Sequence, residues 1–276
     1  MKFGKPLAAQ LAIWTVLGVL LMLTFVPMLM MLIMSFRSNA QIYSNFWSPP
    51  SPWIFRNYIL GFTAIIRYVA NSLIASSSTV LGVVFLSSIS GYVFARHRFP
   101  GKEGFFYFII ALLMIPGILT FIPAYVLVKQ IGLLNTRWVL ILPWTAGGQV
   151  FGIFLCRSFF ATIPEELFEA ARIDGASEFG LYYRIAIPLS YPILITLAIL
   201  HMVGTYNDYI WPLVTVSSTS LQVVSVGLTQ FTSQYGVTDY GPRFAAYAIA
   251  TFPLMALFLF GMRYFIQGIT AGALKL

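Results

Sequence analysis

The residue types that carry enzyme and metal chemistry are few in this chain, and they do not group. Histidine occurs only as His97 and His201, and cysteine only as Cys156, so neither a metal cluster nor an intrachain disulfide is predicted. The sequence contains no G-x-x-x-x-G-K-S/T loop, the kind that cradles nucleotide phosphates. We therefore predict a chain that is not an enzyme, with no catalytic residue, no metal site and no cofactor of its own.

A small group of polar side chains lies within an apolar run near residues 188–210. His201, Thr205 and Asp208 are spaced at i, i+4 and i+7, which predicts that they share one face of a helix. Polar groups inside a membrane span are functional candidates, so we predict that these three and Asn207 line a solute pathway. The alternative is that the histidine is hydrogen-bonded to a neighbouring helix.

The acidic residues concentrate in one segment, residues 162–187, which holds five of the eight in the chain. Thr162 followed by Glu165 predicts a capping box that starts a helix, and Gly175 predicts its left-handed end. Ser177 predicts the cap of a second short helix. Because a helix that binds anionic lipid is normally basic on its polar face, this acidic helix indicates a protein partner.

The composition indicates which solvent surrounds these groups. Hydrophobic residues make up 59% of the chain and charged residues 9%, whereas an ordinary soluble domain carries about 25% charged residues. The formal net charge is +8, but the basic residues lie singly or in twos and threes between apolar runs, which is typical of membrane flanks. We therefore predict membrane lipid as the environment and exclude nucleic acid as a partner.

Six stretches between consecutive charged residues are long enough to cross a membrane, which takes about 20 mostly apolar residues. We predict an all-α integral membrane protein with a single transmembrane domain over residues 1–276 and spans near 11–34, 70–94, 105–128, 138–157, 188–210 and 244–264. The first run is too long for a signal-peptide core and lacks a small-residue cleavage site, so we interpret it as a retained span. Prolines inside several runs predict kinked helices around a cavity, and the Gly148–Gly152 pair predicts a close helix contact.

Two further uncharged segments are excluded as spans. Tyr209 to Thr238 contains thirteen Ser, Thr and Gln residues, whose burial in lipid would be costly, so we predict an extramembrane loop over residues 212–243. Ser38 to Phe55 contains a proline cluster that cannot continue a helix. With the N-terminus inside, ten Lys and Arg residues lie on the inner side and six on the outer side. Both termini and the segment 162–187 are then cytoplasmic, and the loop 212–243 is extracytoplasmic.

The acidic segment resembles the EAA motif of binding-protein-dependent ABC importer permeases. The matching residues are Glu169-Ala170-Ala171, Gly175 after three further residues, and Ile185-Ala186-Ile187-Pro188 after nine more. Ile187 stands where the motif usually has leucine. The chain is most similar to the carbohydrate-uptake branch, in particular the maltose-type second permease, over nearly its whole length. Asn207 to Pro212 and the tail Gly268 to Lys275 resemble that branch as well.

The resemblance implies a type I ABC importer permease fold in a bacterial inner membrane. It implies that the motif forms a coupling helix docking into a cleft on an ATPase subunit, which binds ATP and Mg. It assigns this coupling to Glu169, Ala170, Ala171, Asp174 and Gly175. We add Leu167 and Phe168 to the coupling candidates, because they supply apolar surface on the same helix, as does Ile173. The implied partners are a second, homologous permease that completes a heterodimer, two ATPase subunits and an extracytoplasmic solute-binding protein.

The resemblance also implies that part of the loop 212–243 inserts into the opened cleft of the solute-binding protein. The candidate contacts are Ser218, Gln222, Gln230, Gln234 and Tyr235. The alternative is a solvated loop without insertion. In the maltose system the solute contacts fall mainly on the partner permease, which implies that the pathway residues of this chain line a route without holding a site.

Two other functions stay open from the residues alone. A stand-alone channel or secondary transporter would use the acidic segment for regulation and would transport without ATP. A scaffold subunit of a membrane enzyme complex would carry no solute. The solute itself is equally open, among polysaccharide fragments, disaccharides, polyols and glycerol phosphate diesters. The serines of the second span are further candidates for the solute pathway, but packing against neighbouring helices explains them better.

Overall fold

The computed structural model describes residues 7–234 and 239–273, apart from the side chains of residues 8, 230–234 and 269–273. The regular structure in these ranges is helical. The α-helices are α1 (Leu7–Ser35), α2 (Asn39–Ser44), α3 (Arg56–Arg96), α4 (Lys102–Ala111), α5 (Gly117–Gln130), α6 (Trp138–Phe160), α7 (Glu165–Ile173), α8 (Glu178–Leu181), α9 (Ile187–Leu189), α10 (Tyr191–Asn207), α11 (Ile210–Thr215), α12 (Val224–Gln234) and α13 (Tyr240–Ala273). A 3₁₀ turn (Leu112–Met114) follows α4, and a π-helical turn (Tyr182–Ala186) follows α8.

The chain divides into two compact units. One comprises Met1–Ile66 with Leu228–Phe252, and the other comprises Arg67–Gly227 with Pro253–Leu276. The functional candidates near residues 162–187 and 201–208 belong to the second unit.

The first unit is organised around a buried arginine. Arg37 is 1% exposed and donates to the carbonyl oxygens of Gln41, Asn45 and Phe46, the last at 2.8 Å. Buried cations need such partners because they have lost their water. Ser38 and Gln41 form a capping box that starts α2. The arginine and the cap together hold the segment between α1 and α3 in a fixed path.

Four helices of the described chain are long and apolar enough to cross a membrane: Ala9–Ser35, Arg56–Arg96, Trp138–Phe160 and Tyr240–Gly268. Two helix pairs pass the same test but are bent, Lys102–Met114 with Gly117–Gln130 by 98° and Glu178–Leu189 with Tyr191–Asn207 by 74°. The chain is therefore a multi-pass membrane protein with four to six candidate spans.

The bent pairs differ from the uninterrupted spans predicted at 105–128 and 188–210. The first break lies at Pro116, which has no backbone N–H and pushes Ile115 into an extended conformation with ψ of 115°. At the second break, Ser190 leaves helical geometry two residues before Pro192. The segment predicted as an extramembrane loop, residues 212–243, contains α12 and parts of α11 and α13.

Close helix contacts in the second unit are made through glycines of α6. A Cβ atom on Gly148 would lie 2.6 Å from Val83 Cγ2 and 2.8 Å from His201 Cε1, and one on Gly152 would overlap Ser87. The Gly148–Gly152 pair therefore packs against both α3 and α10, as the spacing predicts. Ser87 is fully buried at this contact, so it is a packing residue of the second predicted span.

We expect Gly148→Ala to lower the free energy of unfolding by about 1–3 kcal/mol, because the added methyl group overpacks a filled contact. The neighbouring Gly147→Ala is the matched control, since a Cβ there meets nothing within 4 Å. The buried Cys156 is the only cysteine, so a thiol-reactive fluorogenic dye reports thermal unfolding in detergent. Equal melting temperatures for the two variants would contradict the close contact.

Candidate functional site

The acidic segment, residues 162–187, forms a bent helical connection that we call the elbow. Its first helix, α7, begins at Glu165 with Pro164 at the N-cap and without a side-chain capping bond. The capping box predicted from Thr162 is therefore wrong. The Thr162 hydroxyl instead donates to the carbonyl of Phe159 at 2.8 Å, in the last turn of α6, and buried Ile163 follows it.

The turn inside the elbow follows the sequence prediction. Gly175 has a φ of +83°, and its N–H donates to the carbonyl of Arg172 at 3.0 Å while that of Ala176 donates to Ala171 at 2.9 Å. These two bonds close α7 in a Schellman motif. Ser177 then starts α8, with its hydroxyl oxygen accepting from the N–H of Gly180 at 3.2 Å. Both caps are confirmed.

Arg96, the last residue of α3, holds the elbow in place; we call its set of contacts the Arg96 clasp. Its guanidinium donates to the carbonyl of Phe160 at 2.6 Å, to that of Ile163, and to the Glu165 carboxylate at 2.6 Å. The same group lies 4.2 Å above the ring of Phe168, and the side chain is only 9% exposed. One planar cation thus joins α3, the end of α6 and α7.

Further ion pairs extend from the clasp across the elbow. Arg172 is 3.0 Å from the second Glu165 oxygen and 3.5 Å from Glu178, whose other oxygen lies 3.7 Å from His97 Nε2. The hydrogen bond from Arg172, followed by the charge of Arg96, lowers the pKa of Glu165 against the opposing effect of desolvation. The hydrogen bond to Glu165 in turn raises the pKa of Arg172. The network is partly exposed, so each pair contributes modestly.

The two faces of α7 have different surroundings. Phe168 is fully buried in an apolar cluster built by α3, α6, the elbow and α10. The buried members of this elbow core are Val83, Tyr92, Cys156, Phe160, Ile163, Phe168, Leu181, Ala186, Ile193, Leu194 and Leu197. Among the predicted coupling residues, Phe168 thus anchors the elbow, and half-buried Ala171 packs against the same cluster.

The other predicted coupling residues, Leu167, Glu169, Ala170, Asp174 and Gly175, are exposed. Ile173, which the sequence predicts as part of the apolar surface of this helix but not as a coupling residue, is 86% exposed. An open cleft of about 390 Å³ extends from Gly175 along α8 and the π-helical turn, where Phe179 and Tyr183 stack in parallel with ring centroids 6.2 Å apart. The elbow therefore presents acidic, small and apolar groups outward. Isolated exposed apolar side chains are ordinary. Here the exposed apolar side chains lie together on an elbow that Arg96 holds in place, which suits a docking surface.

A second feature is a wide-open surface pocket of about 440 Å³ between α6 and α10, which we call the α6–α10 cavity. It is lined from α6 by Pro143, Trp144 and Gly147, and from α10 and its cap by Gly204 and the four predicted pathway residues. The structure thus brings together His201, Thr205, Asn207 and Asp208.

One detail of the pathway prediction is wrong. Helix α10 ends at Asn207, and Asp208 is in an extended conformation with ψ of 125°, so Asp208 does not belong to the helical face of His201 and Thr205. It reaches the cavity from the helix end, where the Trp144 indole N–H donates to its carboxylate at 2.7 Å. Sequence reasoning missed Trp144, because a tryptophan within an apolar run gives no signal of its own.

The segment that follows α11 is held by two amide side chains of the same chain, those of Asn135 and Asn71. Asn135 brackets Ser218, accepting from its N–H and donating to its hydroxyl, both at 2.8 Å. Asn71 donates to the carbonyl of Gln222 at 3.0 Å, and Gln222 is only 4% exposed. In this conformation Gln222 therefore faces the protein interior rather than a partner.

The remaining candidate contacts of this segment fall beyond what can be described. Gln230 and Gln234 belong to α12 by backbone, but their side chains lie outside the described residues, and Tyr235 lies outside them entirely. Within the described ranges, no group of three or more His, Cys, Asp or Glu side chains is arranged to hold a metal ion.

The sequence is similar to a known protein family and to known transport proteins. Residues 83–271 match the family described as "Binding-protein-dependent transport system inner membrane component". The chain is 34% identical over 267 residues to the probable ABC transporter permease protein YurM of Bacillus subtilis, with 96% of this chain and 89% of that protein covered. It is 32% identical to the diacetylchitobiose uptake system permease protein NgcG of Streptomyces coelicolor, with coverage of 99% and 90%.

The fold has a counterpart among solved structures. A chain from the crystal structure of a bacterial ABC transporter involved in the import of the acidic polysaccharide alginate superposes with a TM-score of 0.84. The alignment covers 94% of this chain and 96% of that chain at 20% sequence identity. The all-helical fold is thus that of a type I ABC importer permease.

We expect Arg96→Lys to loosen the elbow, because an ammonium group cannot serve two carbonyls, a carboxylate and an aromatic face in the geometry of a guanidinium. Loss of about 2 kcal/mol from charge-assisted hydrogen bonds predicts roughly 30-fold faster amide exchange over residues 163–176. Hydrogen exchange with mass spectrometry in nanodiscs measures this directly. The exposed Arg98→Lys is the control, and equal exchange in both variants would refute the clasp.

We expect the elbow to loosen at acidic pH through Glu165. Since its pKa in the folded protein is lowered below the ordinary 4.5, the contribution of its ion pairs is complete above that value and is lost as the pH falls through the lowered pKa. Amide exchange over residues 163–176, corrected for intrinsic rates, should therefore rise only below about pH 4.5. Glu165→Gln should remove this dependence and Glu166→Gln should keep it; a dependence that persists in Glu165→Gln would point to another group.

Proposed function

The chain belongs to the family of binding-protein-dependent transport system inner membrane components, and from that premise we propose that it forms half of the solute pathway of an ATP-driven sugar importer. Members of this family are permease subunits, and ATP hydrolysis belongs to a separate subunit. The observation that carries the proposal is the elbow, whose acidic outer face stands on a base fixed by the Arg96 clasp.

The elbow has the properties that mechanical coupling requires. The small side chain of Ala170 leaves room for a close partner beside Glu169. The Schellman motif at Gly175 fixes the C-terminal end of α7. The inner face, through Phe168, is part of a core shared with α3, α6 and α10. A partner that pushes on the outer face therefore displaces those three helices together, because close-packed interiors transmit strain.

The partners follow from this arrangement. We place an ATPase subunit on the elbow, with ATP and Mg held there rather than in this chain. A second, homologous permease would complete the pathway as a heterodimer, with one ATPase copy under each permease. An extracytoplasmic solute-binding protein would deliver the solute. One structural relative is a bacterial alginate ABC transporter in complex with an alginate pentasaccharide-bound periplasmic protein.

The solute is proposed to be a sugar or an oligosaccharide. One relative takes its name from diacetylchitobiose, and the alginate importer carries a polysaccharide. The α6–α10 cavity, with polar groups on an otherwise apolar wall, supports a pathway for a hydroxyl-bearing molecule. The four residues His201, Thr205, Asn207 and Asp208 are the proposed lining.

The orientation is proposed from the distribution of Lys and Arg. Both termini and the elbow lie on the cytoplasmic side of a bacterial inner membrane, and the segment after α11 lies outside. That outer segment is the proposed contact for the solute-binding protein, through the part that follows Gln222. Its first part, around Ser218, is fixed by Asn135 and would serve as the base of the contact.

The two rival functions lack this support. A stand-alone channel or secondary transporter would not need a rigid acidic helix with an exposed apolar residue such as Ile173 at its end. A scaffold subunit would not need a polar cavity between two apolar helices. Membership of a binding-protein-dependent family favours the importer over both.

We expect Glu169→Lys to abolish ATP-driven uptake while the chain still inserts into the membrane, because the substitution reverses the charge of an exposed docking residue without touching the elbow core. Co-expression with the ATPase, followed by co-purification, measures docking, and uptake in proteoliposomes measures transport. Uptake at the wild-type rate in Glu169→Lys would overturn the proposal.

A glycine pair provides the matched test of elbow geometry. Gly175→Ala places a side chain at a φ of +83°, which costs about 1–2 kcal/mol, and should reduce ATPase co-purification. Gly180→Ala, whose added Cβ would meet its nearest neighbour at 3.4 Å, should retain it. If the two variants retain the ATPase equally well, ATPase binding does not depend on the turn at Gly175.

A further inference from the structure

The α6–α10 cavity contains a carboxylate, that of Asp208, which is held in place by a tryptophan. Asp208 Oδ2 accepts from the Trp144 indole at 2.7 Å, which fixes the carboxylate and the ring with respect to each other. Its other oxygen is 3.5 Å from the backbone N of Trp211. Within the described residues, no ion pair joins Asp208 to a cationic side chain. A carboxylate has about four acceptor positions, so several remain open toward the cavity.

A second lining residue has an unused polar atom. His201 Nε2 is buried and has no hydrogen-bond partner among the described residues, although buried polar atoms are nearly always paired. One turn along α10, the Thr205 hydroxyl donates to the carbonyl of His201 at 2.8 Å and keeps its acceptor positions. His201 and Thr205 therefore form part of the wall, and the partly exposed acceptor beside the indole is the Asp208 carboxylate.

These groups define the kind of ligand that the cavity suits. A hydroxyl-bearing ring can donate to the Asp208 carboxylate while its C–H face packs on Trp144. The volume of about 440 Å³ falls in the range of small-molecule sites, roughly 300–1,000 Å³. A carboxylate or phosphate on the ligand would meet the Asp208 carboxylate without a cation between them, and like charges repel.

Building on the proposed function, we propose that this chain holds its own subsite for one uncharged, hydroxyl-bearing sugar ring, packed on Trp144 and hydrogen-bonded to Asp208. The resemblance to maltose-type permeases implies a route without a site, so the subsite is an additional property of this chain. The subsite recognises a ring and its hydroxyl groups rather than a particular glycosidic linkage. It discriminates against acidic sugars.

The test is a titration of the full chain in lipid nanodiscs, followed by tryptophan fluorescence. Maltose and diacetylchitobiose are the uncharged probes, and an alginate disaccharide is the anionic probe. We expect both uncharged probes to change the fluorescence saturably, and the anionic probe to bind roughly 10-fold more weakly or less. Trp144→Phe should abolish the change, whereas Trp138→Phe, which removes a 58% exposed tryptophan of the same helix, should preserve it.

The Asp208→Asn variant tests the effect of the carboxylate charge on binding without a large change in the shape of the cavity. The asparagine oxygen can still accept from the Trp144 indole, so the cavity keeps its shape, but the uncharged probes should bind roughly 5-fold more weakly. The discrimination against the alginate disaccharide should disappear in this variant. Binding of all three probes with equal strength to the wild-type chain, absence of binding, or a signal that survives in Trp144→Phe would each overturn the subsite.

A failure of the subsite proposal can be distinguished from a failure of the proposed importer function. ATPase co-purification and ATP-driven uptake in proteoliposomes test the importer without reference to the cavity. A chain that supports uptake but binds none of the probes would refute the subsite alone. A chain that binds the uncharged probes but neither retains an ATPase nor supports uptake would refute the importer and leave the subsite.

Discussion

The guanidinium of Arg96 is the contact on which the arrangement of the elbow depends. Helix α6 ends at Phe160, and the carbonyl groups at the end of a helix lack partners within that helix. Arg96 satisfies the carbonyls of Phe160 and Ile163 and brings a positive charge to the negative end of the α6 dipole. Without it, buried Ile163 would leave a backbone acceptor unpaired at a turn that has to be rigid.

The clasp also explains why the elbow can be acidic outside and apolar inside. Glu165 is paired with Arg96 and Arg172, so the charge of its carboxylate is balanced within the elbow. Glu166, Glu169 and Asp174 form the exposed acidic face. A short helix of this kind would be unstable by itself, and its order comes from the core beneath Phe168 together with the two cations.

Local signals in the sequence predicted the features that depend on neighbouring residues. Gly175 and Ser177 could be read as caps because a cap needs only a few residues along the chain, and apolar runs gave the approximate helices. Contacts between distant residues could not be read in the same way. Arg96 looked like a membrane flank, Thr162 bonded backwards to α6 rather than forwards, and Gln222 looked exposed because polarity alone does not reveal burial. The bends of the two broken helix pairs likewise depend on packing beyond the prolines.

Helix α10 connects the two candidate features within the second unit. Its first half contributes Ile193, Leu194 and Leu197 to the elbow core, and one turn after Leu197 it presents His201 to the α6–α10 cavity. The Gly148 contact holds the His201 ring against α6, so the helix cannot rotate at one end without changing the cavity at the other. A displacement of the elbow would therefore reach the Trp144–Asp208 pair through one continuous helix, with no need for a separate relay of side chains.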